Sequence, residues 1–162
     1  YITTPLILRL LDSGLSLKRM ALMVQREVAD KIVAAPGSDS WNMLSLRCQW
    51  AAEPEIAMDV PASCFTPAPR VDSAFVLLPM REEPPVSVRS EGDLFAVARA
   101  GFALRRKTMT NALCAAFHLE RAQAAGLMSE AKLDERVRGE KLGFEELARL
   151  ADAWTRWKEE HP

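Results

Sequence analysis

An α/β unit followed by a small all-helical domain is the fold class that this sequence predicts, and three observations predict it. Two short apolar runs, 20–25 and 71–78, have the length of strands rather than helices. Beyond residue 93 the apolar residues recur only at three- and four-residue steps, the period of a helix with one face on a core. Between these regimes lies Pro79-Met80-Arg81-Glu82-Glu83-Pro84-Pro85, continuing to Ser90-Glu91-Gly92, proline-rich and charged with no apolar period. The expected organisation is therefore an α/β portion at 1–79, a linker at 80–92 and a helical domain at 93–162.

Taken in order, Thr4 is a natural N-cap and Pro5 suits a first helical position, where its missing N–H costs nothing. That helix should stop near Ser13-Gly14. The run 20–25 reads as a strand buried on both faces. Residues 26–34 continue at helical spacing, with Val28, Ile32 and Val33 inward, and 35–40 form a loop. A helix over 44–50 and a short strand over 55–60, ending at Pro61, come next. This strand and the one at 71–78 flank a loop and should pair antiparallel at the sheet edge.

The helical portion should open with 93–104, its stripe carried by Leu94, Phe95, Val97, Ala98, Gly101 and Phe102. A second helix is expected over 108–117 and a third over 119–125, stopping at Gly126. Ser129 reads as the N-cap of a short helix containing Lys132 and Leu133. The last helix should run from Phe144 to about Trp157, with Leu147, Leu150, Ala151 and Trp154 on one face and Trp157 at its rim.

Composition sets bounds. At 162 residues and 49% hydrophobic, the chain can bury one modest core or two small ones. A formal net charge of −1 carries no global sign of nucleic acid, so any RNA-binding surface has to be local. Cys48, Cys64 and Cys114 are far apart with no C-x-x-C spacing, which reads as reduced, cytoplasmic and not zinc-binding. His118 and His161 are too few and too distant for a metal site. No apolar run reaches membrane-spanning length, and nothing at the start resembles a signal peptide. The chain opens in mid-pattern, without an initiating Met.

Two stretches carry chemistry. In Phe65-Thr66-Pro67-Ala68-Pro69-Arg70-Val71-Asp72-Ser73 each proline fixes φ and restricts the residue before it, so Phe65 sits on a loop with little entropy left to lose. An aromatic face held that way suits a flipped-out base; a hydrophobic anchor before a strand is the plainer reading. Asp72 reads as a turn-forming or capping residue rather than an acid–base carboxylate. The second stretch is Arg105-Arg106-Lys107, between the first two helices of the helical domain. From Leu94 to Leu119 there are four basic residues, Arg99 among them, and no acidic ones. Such a tip can neutralise RNA phosphates, or be a solvated turn at a helix C-terminus.

The residues themselves resemble a known family. F-x-P-x-P-x-V-x-S at 65–73 is similar to the loop of the rRNA adenine-N6 dimethyltransferases (the KsgA/RsmA-like family). Arg105-Arg106-Lys107-Thr108 with Asn111 and Leu113 looks like that family's R-R-K-T-x-x-N-x-L segment. Gln25-Arg26-Glu27, the loop from Val33 to Ser38 and Arg138-Gly139-Glu140-Lys141-Leu142 also resemble family segments. Where the family has aromatic-Gly-Arg-Leu-Ser, this chain has Trp41-Asn42-Met43-Leu44-Ser45, so any RNA contact that this Arg makes in relatives has no counterpart here.

The resemblance covers nearly the whole chain but only the back half of the family. It implies the C-terminal part of a Rossmann-like (class I) methyltransferase sheet ahead of the helical domain. It implies transfer of methyl groups from S-adenosylmethionine to N6 of two adjacent adenosines in a hairpin of small-subunit (16S) rRNA. The substrate is expected to be a ribosome assembly intermediate, and the protein a cytoplasmic monomer without metal. Phe65 would stack on the target adenine, Pro67 and Pro69 would hold the loop, and Arg105, Arg106 and Lys107 would grip RNA. The family's N-[LI]-P-Y motif ends one place before Tyr1, so Tyr1 receives no catalytic role. On this reading the cofactor-binding half is not in the sequence, and the chain alone does not methylate. Two alternatives stay open: a 23S rRNA methylase of the macrolide-resistance type, which shares the loop, and a non-catalytic rRNA-binding or assembly protein.

Overall fold

A computed structural model describes residues 2–162; Tyr1 lies outside the described residues. The described chain forms an α/β fold of three strands and seven α-helices. It divides into two compact units, one of residues 2–35 with Ser40–Pro85, the other of Pro36–Asp39 with Val86–Pro162.

In the first unit, helix α1 (Thr3–Asp12) leads to strand β1 (Arg19–Gln25), helices α2 (Arg26–Ile32) and α3 (Met43–Ala51), then strands β2 (Glu55–Val60) and β3 (Ser73–Pro79). The sheet order is β1-β3-β2, and both pairings are antiparallel. Ala74, Val76 and Leu78 of β3 point to one face with Met20 and Val24 of β1, all buried. Against them pack Ile7, Ala29, Ile32, Leu44 and Cys48 from the three helices. Burial pushes the Cys48 thiol up to about 12, only partly offset by the charge of Arg47, so this thiol is inert in the fold.

Two expectations need correction here. Strand β1 is not buried on both faces: Met20 and Val24 are buried, whereas Met23 is 47% exposed. An apolar run has no period to reveal a one-sided strand, because Ala21 and Met23 are as apolar as the residues that face the helices. Helix α1 begins at Thr3 with Ile2 as N-cap, and no side chain caps it. Pro5 still falls within the first turn, where N–H groups lack intrahelical partners, so one more residue could join the helix at no cost. Where the family resemblance expects Gly-Arg, Asn42 caps α3: its Oδ1 accepts from the N–H groups of Leu44 (2.7 Å) and Ser45 (3.3 Å).

The second unit holds α4 (Glu91–Ala103), α5 (Met109–Phe117), α6 (Arg121–Glu130) and α7 (Phe144–Glu160). Leu94, Val97, Leu113, Leu127, Leu147 and Leu150 build its core. Helix α6 does not stop at Gly126 but runs through it, and Ser129 lies inside its last turn rather than capping a further helix. A helical Gly costs about 1 kcal/mol against Ala, which burial of Ala124, Leu127 and Met128 outweighs. The stop comes instead at Lys132, with φ 58°, where the Leu133 N–H donates to the Met128 carbonyl at 2.9 Å. Phe117 stacks on the buried Trp154 with ring centroids 4.3 Å apart, and Trp157 continues the stack at the rim.

Asp93 ties α4 to α7. It accepts from Lys158 Nζ and Thr155 Oγ1, each at 2.6 Å. Burial pushes its carboxyl up, but the hydrogen bonds and charge of Lys158, with bonds from Thr155 and Ser90, more than cancel this and hold it below the usual range. With the folded value below an unfolded value of about 3.9, the stabilisation is full above that value and is lost as pH falls through the folded one. Asp93→Asn should lower Tm near neutral pH and shrink the fall in Tm on acidification from pH ~5 to ~3. An undiminished acid sensitivity in thermal melts would contradict this.

Candidate functional site

Gln25, Val60 and Ser73 are in register at one end of the sheet. From there the chain leaves β2, makes a 3-10 turn at Ala62–Cys64, and crosses 65–72 before entering β3. The Phe65 N–H donates to the Ala62 carbonyl at 3.2 Å. Asp72 closes the loop: its Oδ1 accepts from the Ala62 N–H at 2.9 Å, and its carbonyl accepts from the Arg26 N–H at 2.9 Å. The Arg26 guanidinium bonds Asp30 at 3.0 Å and also reaches Asp59, near the end of β2. Asp30 first, then Asp59, hold this guanidinium above its usual pKa.

Phe65 is half-buried, while Thr66, Pro67, Ala68, Pro69 and Arg70 are exposed. The Thr66–Pro67 peptide is cis. The loop is thus an outward bow with a fixed base, carrying one aromatic ring partly against the protein and partly open. Asp72 acts as the turn-closing residue expected of it, accepting a backbone N–H rather than facing a reacting group.

In the second unit the Arg105-Arg106-Lys107 cluster forms the turn between α4 and α5, all three exposed. The Lys107 N–H donates to the Leu104 carbonyl at 2.8 Å. Thr108 then caps α5 by accepting the Asn111 N–H at 3.3 Å. In the motif, therefore, three residues present charge and the fourth starts the helix. Arg105 also donates to the Asp39 carbonyl at 3.0 Å, which leaves Arg106 and Lys107 as the outer pair.

The turn is braced from behind by 137–142. The Met109 N–H donates to the Val137 carbonyl at 2.7 Å, and Thr108 forms a β-bridge with Arg138. Gly139 lies so close to Gly101 of α4 that a Cβ added to it would stand 2.3 Å from the Gly101 Cα. Beside the turn opens a polar cleft of about 630 Å³, with Thr108, Asn111, Arg121 and Arg136 among its walls. Asn111 Oδ1 accepts from Arg121 there at 3.2 Å.

A model of the ribosomal RNA adenine dimethylase family matches residues 1–154. The chain belongs to the ribosomal RNA adenine dimethylase family. Similar members of this dimethylase family are each called ribosomal RNA small subunit methyltransferase A. The one from Geobacillus sp. (strain WCH70) is 42% identical over 156 residues, 94% of this chain and 54% of its own length. That from Shouchella clausii is 44% identical over 155 residues, 94% of this chain and 52% of its own. The chain thus spans about half the length of the curated relatives it matches. Its fold is also that of solved structures at 20% identity. A dimethyladenosine transferase from Plasmodium falciparum gives a TM-score of 0.77, over 99% of this chain and 64% of that one. The 23S rRNA methyltransferase ErmE gives 0.65, over 94% and 60%.

Phe65, Pro67 and Pro69 share one loop of the first unit, and Arg105, Arg106 and Lys107 share one turn of the second. Arg26 and the Gly101–Gly139 contact were not singled out from sequence as parts of these sites. A signal existed for Gly101, which stands inside the apolar stripe of α4, but not for its partner Gly139. Among the described residues, no helix is long and apolar enough to cross a membrane.

Proposed function

We propose that this chain carries the target-base loop and the RNA grip of an enzyme that dimethylates N6 of two adjacent adenosines in a 16S rRNA hairpin. On this reading S-adenosylmethionine donates the methyl groups, and the substrate is a cytoplasmic assembly intermediate of the small subunit met by a monomeric enzyme. The three antiparallel strands are read as the C-terminal part of a Rossmann-like sheet. Residues 1–79, apart from the segment 36–39 that groups with the second unit, are read as part of that catalytic domain, 80–92 as the link and 93–162 as the helical domain. The observation that carries the proposal is Phe65, half-open on a loop whose base is closed by Asp72, in a chain of the dimethylase family.

The described residues do not fit a cofactor cradle. The glycines at positive φ, Gly14 and Gly37, stand singly in loops and not in a glycine-rich turn between a strand and a helix. The donor is therefore assigned to residues outside this chain, which itself supplies binding and orientation. An exocyclic amine needs no strong base when it is held with its lone pair aimed along the line of transfer. Phe65 would supply part of that hold by packing on the extruded adenine, with Pro67 and Pro69 limiting the motion of the loop. Arg105, Arg106 and Lys107 would neutralise phosphates, fixing the register of the RNA without reading its sequence.

The test is methyl transfer by the protein as expressed from its gene to small and large ribosomal subunits that lack the modification. Label on the small subunit supports the reading; label on the large subunit alone would assign the chain to 23S methylation. No transfer, with RNA binding retained, would leave it an rRNA-binding protein. Replacing Arg106 and Lys107 by Ala spares the Arg105–Asp39 contact and should flatten the dependence of log K on log salt by about 1.4–1.8 in slope. An unchanged slope would return the cluster to a solvated turn.

A further inference from the structure

The geometry points to Asp72 as the positioning residue for Phe65, acting as a hydrogen-bond acceptor and not as an acid or base. This inference rests on the reading of Phe65 given above. Two bonds connect the residues: Asp72 Oδ1 accepts from the Ala62 N–H at 2.9 Å, and the Ala62 carbonyl accepts from the Phe65 N–H at 3.2 Å. Asp72 itself is fixed, because its carbonyl accepts from the Arg26 N–H and the next residue, Ser73, begins β3 in register with Gln25 and Val60. Arg26 in turn bonds Asp59 beside Val60, so the ends of all three strands meet at the foot of the loop.

What the carboxylate provides is one oxygen at a fixed place. Without it the Ala62 N–H loses its partner, the 3-10 turn is free to unwind, and the Phe65 backbone is released with it. The ring would then have to be ordered when the base arrives, and that cost falls on the step after RNA docking. An amide oxygen fills the same place, so Asn should serve where Ala cannot.

The experiment compares Asp72→Asn and Asp72→Ala in the protein as expressed from its gene, by amide hydrogen exchange and by methylation of small-subunit rRNA. Asp72→Ala should abolish protection of the Ala62 amide, weaken that of Phe65, and lower kcat about tenfold with RNA affinity little changed. Asp72→Asn should keep both protection and rate near wild type. An Asn variant as slow as Ala while Ala62 stays protected would overturn the inference, because the charge would then matter and not the acceptor. So would unchanged protection in the Ala variant. Should the wild type methylate no rRNA, the functional reading fails alone. The exchange pattern then decides the clasp, loss of Ala62 protection with weakened Phe65 protection in the Ala variant supporting it and retention sinking it.

Discussion

Phe65→Ala should slow rRNA methylation about five- to 150-fold in kcat/KM while leaving RNA affinity nearly unchanged. The range follows from a base–aromatic stack worth roughly 1–3 kcal/mol, at 1.36 kcal/mol for each tenfold in rate. Binding is spared because most affinity for RNA comes from phosphate contacts, and the cations proposed for them sit on a different turn. Such a stack would form only once the base has left its helix, so the loss would belong to catalysis. Phe65→Trp keeps a π-face and should restore most of the rate. Parallel loss of binding and rate in the Ala variant, or loss of neither, would contradict a stacking role and leave Phe65 as a hydrophobic anchor.

Gly139→Ala should be the most destabilising single methyl that the second unit can receive. The added Cβ would meet three backbone atoms of Gly101, at 2.3, 2.6 and 2.7 Å, and backbone cannot rotate away as a side chain can. Overpacking of this kind costs about 1–3 kcal/mol or more, and a backbone clash belongs at the upper end. For a protein of this size that is a fall in Tm of roughly 5–10 °C. Part of the response should be local. If α4 and 137–142 separate, the Met109–Val137 bond and the Thr108–Arg138 bridge loosen, and with them the seat of the basic turn. RNA affinity should therefore fall although no cation has been removed. Gly126→Ala is the control, since a Cβ there meets nothing within 4 Å and should be neutral or stabilising. A Gly139→Ala protein with wild-type Tm would contradict the close approach.

Where local chemistry decides an element, the sequence was legible. Strand β2 spans the expected 55–60, bounded by Pro54 and Pro61, and Thr108 begins α5 by capping it. The α/β class and the family follow from the apolar runs and from two motifs in order. What stayed hidden was decided by tertiary contacts. Gly126 looks like a helix stop, but the side chains around it are buried and the helix continues. Whether β1 is covered on one face or two depends on what packs against Ala21 and Met23, which its own residues do not record. The site divides in the same way. Phe65 and the basic cluster are visible as residue types at motif spacings, and Asp72 as a turn former. The partner of Asp72, Ala62, lies ten residues back with an ordinary backbone N–H, and no residue type announces it. Gly101 and Gly139 are far apart in sequence, so only their meeting shows why both lack a side chain.

The central claim is dimethylation of two neighbouring adenosines, and nucleoside mass analysis of the labelled RNA tests it most directly. Small subunits lacking the modification would be incubated with the protein as expressed from its gene and S-adenosylmethionine, then digested to map the methylated hairpin. The account predicts N6,N6-dimethyladenosine at two adjacent positions in one small-subunit hairpin. Methylation at a single site in large-subunit RNA, or no methylated adenosine at all, would contradict it.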